Sequence, residues 1–403
     1  MKILWFSNYR FSNEAIKTTG TWLKVMGEAL SRENGIELVN ITKGQSNVIV
    51  LKQINGIKQY IIPAGKSYTN DLPKPQIVRQ IENIIEELQP DIIHVWGTES
   101  YWGLITKNYV HRFKVLLEIQ GILSQIKQQF YGGLTPKEIL SCTGFKEFVK
   151  PKIHLIYQYY FYKLQTRNEQ EVIGSHHLIS VQSEWSQRSI GGINSKAKIF
   201  KSLLPLREEF VSASGTWTYP SSRKIFTSAA GLHSYKGLHI ALRALKILVE
   251  NGVNASLNIA GALSKGVRQS GYKRYLLRLI NELKLEGHVI WLGALDAKEI
   301  VLELQTSDVV LIPSYMESYC MVLYESIAIG IPIVCSYAGA MPEAGRLTSS
   351  IKYFQPGDYR VAASHLSDVL SSAYESNIES QPVVTAKAAV ERQLAIYKEI
   401  KTR

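Results

Sequence analysis

The sequence predicts an α/β protein of two Rossmann-like, doubly wound domains facing an interdomain cleft. Three observations carry that prediction. The chain has 403 residues, about two to three times the ordinary size of one domain. Short β-branched runs alternate with helical patterns through both halves, as a parallel sheet with crossover helices requires. A polar stretch, Ser212-Ala213-Ser214-Gly215 to Pro220-Ser221-Ser222, breaks the alternation near the middle. The expected division is 1–211 for the first domain, 212–222 for a linker and 223–384 for the second. Residues 385–403 are expected to form a terminal helix that packs back on the first domain.

In the first half, residues 2–7, 36–41, 91–96, 114–119 and 177–181 read as strands, and about 21–31, 75–88 and 153–171 as helices. After the polar stretch the alternation restarts. Strands are expected at 224–228, 255–260, 288–291, 308–312 and 332–335, with helices at about 237–250, 272–284, 298–306 and 322–329. A last helix, about 385–400, places Val390, Leu394 and Tyr397 on one face. In such sheets ligands bind at the carboxyl ends of the strands, so the loops there hold the chemistry.

Hydrophobic residues at 45% and charged residues at 20% suit a globular enzyme and exclude disordered and disulfide-scaffold classes. Three cysteines, Cys142, Cys320 and Cys335, form no Cys-x-x-Cys pair, which favours free thiols in a reducing compartment. No apolar run approaches the roughly 20 residues of a membrane span. Met1 to Ser7 reads as a first strand, and a cytoplasmic location is expected. The net charge of +12 favours anionic partners. Residues 223–278 carry a net +9 and residues 101–166 a net +6. Solvated helix faces would explain either patch equally well.

Several chemistries lack their signatures. There is no Gly-x-Gly-x-x-Gly, no Gly-x4-Gly-Lys-Ser/Thr, no His-Glu-x-x-His and no Gly-x-Ser-x-Gly. None of the six Asp is spaced Asp-x-Asp. A metal-bound diphosphate usually needs carboxylates nearby. No metal and no cofactor are therefore expected, and a nucleotide's diphosphate would be neutralised by Lys, Arg and helix N-termini.

The strongest signal is Ser314-Tyr315-Met316-Glu317-Ser318-Tyr319-Cys320-Met321-Val322-Leu323-Tyr324-Glu325, which follows a strand and opens a helix. It resembles the retaining, nucleotide-sugar-dependent glycosyltransferases of family 4, which have the GT-B fold of two Rossmann-like domains. Their hallmark is a pair of Glu with seven residues between them in a Pro-Ser-x-x-Glu…Glu-Ala-x-x-x-Gly-x-Pro frame. Pro313, Ser314, Glu317, Glu325, Gly330 and Pro332 stand in register, with Ser326 in place of the Ala. Gly339-Ala340-Met341-Pro342-Glu343 is similar to the Gly-Gly-x-Pro-Glu that follows.

The resemblance implies that Glu317 is catalytic, touching the donor sugar, and that Glu325 holds the ribose hydroxyls. Between them, the amides of Tyr319, Cys320, Met321 and Val322 are donor-binding candidates, because a helix N-terminus attracts phosphate. Upstream, Ala230-Gly231-Leu232-His233-Ser234-Tyr235-Lys236-Gly237 resembles the family's Gly-Arg-Leu-x-x-x-Lys-Gly loop. Lys236 matches the lysine on the diphosphate, and Gly231 stands where the family has Arg. Thr19-Gly20-Thr21 is similar to a Gly-Gly loop near donor phosphate and acceptor, or is an ordinary strand-to-helix turn. On the acceptor side, Gln120 in Glu118-Ile119-Gln120-Gly121 replaces the histidine of many relatives. An amide binds sugar hydroxyls but is no acid or base near neutral pH. His94 is a second acceptor-side candidate, although its strand also suits a residue facing the domain interior.

Residues 121–171 are rich in Tyr, Phe and Lys, which suits sugar stacking, an anionic membrane surface, or a packed helix with snorkelling lysines. The resulting expectation is a metal-independent, hexosyl-type transferase acting on a saccharide or lipid-linked saccharide acceptor in surface polysaccharide biosynthesis. It would be peripheral on the inner face of the cell membrane. Another GT-B enzyme, such as a nucleotide-sugar epimerase, and a basic nucleic-acid-binding protein are the alternatives. The latter lacks a recognised motif.

Overall fold

The computed structural model describes residues 1–12, 21–63, 72–144, 149, 154–228, 232–261, 270–371 and 383–402. They form two compact units. The first comprises Met1–Ser124, Lys163–Arg207 and Val384–Arg403, and the second Gln125–Tyr162 and Glu208–Val383.

The first unit holds an eight-stranded sheet among the described residues: β1 (Lys2–Phe6), β2 (Glu37–Gly44), β3 (Val50–Ile54), β4 (Ile57–Pro63), β5 (Ile92–Trp96), β6 (Val115–Glu118), β7 (Leu178–Val181) and β8 (Lys198–Lys201). Its order is β3-β4-β2-β1-β5-β6-β7-β8, parallel except for β3 against β4. Four of the five β1 residues, Ile3 to Phe6, are buried, because helices cover both faces of a doubly wound sheet. The helix Pro75–Leu88 starts with Pro at its first position and buries Ile81, Ile84 and Ile85 at helical spacing.

The second unit's sheet comprises β9 (Lys224–Ser228), β10 (Ser256–Ala260), β11 (Val289–Gly293), β12 (Val309–Ile312), β13 (Ile333–Ser336) and β14 (Ile351–Phe354). Its order is β11-β10-β9-β12-β13-β14, all parallel. In both sheets the first strand in sequence lies centrally, so the strand order reverses beside it and a crevice opens at the carboxyl ends.

The units divide the chain differently from the continuous boundaries expected. Gln125–Tyr162, read as part of the first domain, packs within the second unit. Its Phe130, Leu134, Cys142 and Leu155 are buried in the same apolar cluster as Leu238, Leu242 and Leu276. Residues 212–222 are no free linker either. Trp217 is 2% exposed, its indole N–H donates to the Ser307 carbonyl at 2.8 Å, and Gly215 N–H donates to Ala328 O at 2.8 Å. A buried Trp with its N–H satisfied ties this stretch to the second unit.

The terminal helix Ala386–Lys401 is capped by Thr385, whose side chain accepts from Ala388 N–H. Within the first unit it packs against the helix Thr21–Leu30. Val390 and Tyr397 are buried, and Leu394 is only half-buried, because Gln393 and Ile396 complete the inward face. Among the described residues no helix is long and apolar enough to cross a membrane.

Candidate active site

The second unit's site starts from two loops in backbone contact. After β9, a tight helical turn spans Ser234–Lys236 and ends at Gly237, which has φ +72°. A Cβ at Gly237 would stand 2.0 Å from the carbonyl oxygen of Pro313, the residue after β12, so the position needs glycine. The Tyr315 N–H donates to Tyr235 O at 2.7 Å and fixes the two loops in register.

That register brings Lys236 to Glu317. The Lys236 ammonium lies 2.7 Å from Glu317 Oε1, and the Ser314 hydroxyl donates to the same oxygen at 2.7 Å. Burial alone would lower the Lys236 pKa, but the Glu317 carboxylate outweighs it and holds the ammonium above its usual value. Gly339 closes over the other side, and Ala340 N–H donates to Glu317 O at 2.9 Å.

The helix Met321–Ile329 begins immediately after this loop. Its N-cap, Cys320, has φ +67° and makes no side-chain capping bond. A non-glycine residue in that conformation costs roughly 1–2 kcal/mol. It leaves the first amides of the helix without a capping side chain, in a place suited to an anion. Burial, followed by the Glu317 charge, pushes the Cys320 thiol well up, so it stays a neutral thiol. Glu325, one turn into the helix, is 6% exposed. Tyr319 stacks on Tyr324 with ring centres 4.3 Å apart. Lys236, Glu317, Tyr319, Cys320, Met321, Val322 and Glu325 thus sit on two adjoining loops and one helix.

Part of Gln125–Tyr162 is pressed against the same loops, a placement that no local pattern signals. The Ser234 hydroxyl donates to Phe130 O at 2.5 Å. His239 lies 2.9 Å from Gly132 O through Nε2 and 2.8 Å from the Tyr272 hydroxyl through Nδ1. Burial lowers its pKa to about 4, so the neutral ring donates to the carbonyl and accepts from the phenol. Glu138 pairs with Arg243 and accepts from the Tyr275 hydroxyl at 2.7 Å. Burial would raise its pKa, but these partners and Thr135 hold it down at about 2.

In the first unit, Gln120 is half-buried at the end of β6. His94 is not an acceptor-facing residue. It is fully buried, with Nδ1 2.6 Å from the Tyr397 hydroxyl, Nε2 3.3 Å from Glu118, and its ring stacked on Trp96. With both nitrogens engaged and burial lowering its pKa, it is part of the core. Gly20 and Gly231 lie outside the described residues.

Sequence reasoning missed Glu99, which follows β5 beside Gln120. A Cβ at Gly97 would stand 2.1 Å from Glu99 Oε2 and 3.5 Å from the Gln120 side-chain amide carbon. Burial, aided by the charge of Glu169, pushes Glu99 up to about 7 against backbone N–H donors. Glu169 is itself raised by burial while accepting from Leu123 and Ser124 N–H, so the two carboxyls titrate together. The fold prefers protonated Glu99. Its contribution to stability is therefore full below about pH 4.5 and lost as pH rises to about 7. Glu99→Gln should gain on the native chain across that window, by on the order of 2–3 kcal/mol. Urea midpoints of both proteins from pH 4.5 to 7.5 test this, and a constant difference would contradict it.

Residues 215–379 match the family described as Glycosyl transferases group 1. WcaL of Escherichia coli K12, a candidate colanic acid biosynthesis glycosyltransferase, is 31% identical over 153 residues, 36% of each chain. A D-inositol 3-phosphate glycosyltransferase of Corynebacterium aurimucosum is 30% identical over 128 residues, 31% of this chain and 30% of that protein. The chain therefore spans about a third of the length of these relatives. Among solved structures, sucrose-phosphate synthase of Thermosynechococcus elongatus superposes with TM-score 0.70 at 15% identity, over 100% of this chain and 96% of that one. HepE of Anabaena, solved with UDP and glucose, has TM-score 0.63 at 14% identity, over 100% and 97%. At such identities the likeness concerns the fold, which is GT-B. The resemblance to family 4 glycosyltransferases is borne out.

Proposed function

We propose that this protein is a retaining glycosyltransferase that moves a hexosyl-type sugar from a nucleoside diphosphate to an acceptor hydroxyl in polysaccharide biosynthesis. The observation that carries this reading is Lys236 paired with Glu317 beside an uncapped helix N-terminus. Without donor, Lys236 and Glu317 neutralise one another. An arriving diphosphate offers Lys236 a doubly charged partner, with the amides of Met321 and Val322 completing its shell. Glu317 is then free to face the sugar, and charge growing on the leaving diphosphate is met by groups already in place. Glu325 would hold the ribose. The match to group 1 glycosyltransferases over these residues supports the donor class, and the name of WcaL supports a polysaccharide setting.

Acceptor contacts would come from the first unit, with Gln120 as a hydroxyl partner. Ile156, Tyr157 and Tyr160 are exposed on one helix, which supports contact with a membrane surface. The test is a thermal-shift screen against nucleotides and nucleotide sugars, since a bound donor stabilises by RT ln(1 + [L]/Kd). NMR of the product made from the stabilising donor then reads the anomeric configuration. No stabilisation by any nucleotide, or an inverted product, would overturn the reading.

Transfer is expected to proceed without metal. Lys236 and the helix amides supply the neutralisation that a divalent ion would otherwise provide. Turnover should be equal in EDTA and in added magnesium or manganese. Abolition by EDTA with rescue by either metal would show that a cation is required.

A further inference from the structure

In the first unit, β1 lies between β2 and β5, so the carboxyl ends of these three parallel strands stand side by side. Lys43 is the penultimate residue of β2. Its ammonium donates to the Ser100 hydroxyl at 2.7 Å and lies 4.9 Å and 5.6 Å from the ring centres of Tyr101 and Trp102. Trp102 is held in turn by Asn8, whose side-chain oxygen accepts from the indole N–H at 3.1 Å.

Lys43 differs from several other lysines of the first unit. Lys58, Lys107 and Lys198 each pair with a carboxylate. Lys43 is partly buried, burial lowers its pKa, and among the described residues it pairs with no carboxylate. An ammonium taken from water is ordinarily matched by an anion. One hydroxyl and two aromatic faces are a partial substitute. Beside it, the Tyr101 hydroxyl is buried with no hydrogen-bond partner among the described residues. At the same strand end, Arg10 Nη1 lies 4.0 Å from where a Cβ would stand on Gly44, and among the described residues Arg10 pairs with no carboxylate.

We propose that Lys43, with Ser100 and Tyr101 beside it, forms an oxyanion site that takes a phosphate or carboxylate group carried by the acceptor. The acceptor is then an acidic saccharide or a phosphate-bearing carrier. The word acceptor rests on the transferase reading, but anion binding at Lys43 does not. The site needs only a cation lacking its counter-ion, placed where a doubly wound sheet receives ligands.

The test uses the full chain. Lys43 is acetylated with a pulse of acetic anhydride and mapped by peptide mass spectrometry in sodium phosphate, sodium glucuronate and sodium chloride of matched ionic strength. Protection follows 1 + [L]/Kd, so an anion at twice its Kd slows Lys43 about threefold relative to chloride. Lys58 should react alike in all three salts. Stronger protection by phosphate identifies the phosphate-bearing carrier, and stronger protection by glucuronate the acidic sugar. Equal Lys43 rates in all three salts overturn the site. In transfer assays, Lys43→Gln should raise the acceptor KM about tenfold with donor KM unchanged, and Lys43→Arg should recover part of the loss. An unchanged acceptor KM overturns the acceptor role. Absence of transfer with every donor would refute the transferase reading instead, and the acetylation result would still decide the anion site.

Discussion

Glu317→Gln should lower kcat by about 10²–10³-fold, the loss typical of one preorganised transition-state contact. The side chain is 11% exposed and fixed by two donors, Lys236 and Ser314, before any substrate arrives. A glutamine can keep the Ser314 bond through its amide oxygen, so the substitution removes charge more than shape. Positive charge develops at the anomeric carbon as the sugar leaves, and a carboxylate there acts mainly at the barrier. Glu325→Gln should instead raise donor KM, because ribose contacts are similar before and during reaction. A charge-assisted hydrogen bond contributes roughly 1.5–3 kcal/mol. Steady-state kinetics on both variants, with circular dichroism to establish folding, separates the roles. Near-normal kcat for Glu317→Gln, or a larger kcat loss at Glu325, would reverse the assignment.

What could be read from sequence was local, and what could not was set by distant partners. The Glu317–Glu325 spacing is contained in one loop and one helix turn, so a linear pattern captures it. The β3–β4 hairpin was also legible: Asn55 and Gly56, at φ +50° and +81°, form the left-handed pair that an Asn-Gly hairpin turn uses. A search for core-like runs misses it because β3 exposes Leu51, Lys52 and Gln53, although β4 is largely buried. The destination of Gln125–Tyr162 was not legible. It depends on Phe130 meeting Ser234, Gly132 meeting His239, and Glu138 meeting Arg243, each about a hundred residues away. Glu99 carried no motif, and its raised pKa arises from burial beside Glu169, seventy residues on.

Gly339→Ala should damage both stability and turnover, and the cause can be isolated with a matched glycine. Gly339 has φ +55°, and a Cβ there would stand 2.0 Å from the Glu317 carbonyl oxygen and 3.1 Å from its nitrogen. Real Cβ atoms do not approach backbone so closely, so either the 339–340 turn or the Glu317 backbone must move. The Ala340 N–H bond to the same carbonyl makes separate movement costly. Gly252 has a similar φ of +78° but nothing within 4 Å of its Cβ position. Gly252→Ala therefore reports the left-handed penalty alone, roughly 1–2 kcal/mol, and should leave kcat unchanged. Gly339→Ala should lose more in urea unfolding, by about 1–3 kcal/mol for the forced shift. Its kcat should also fall by at least about tenfold, since misplacing a reacting group by 1 Å can cost 10²-fold. If the two variants lose equal stability and both keep native kcat, the Gly339 turn does not position Glu317.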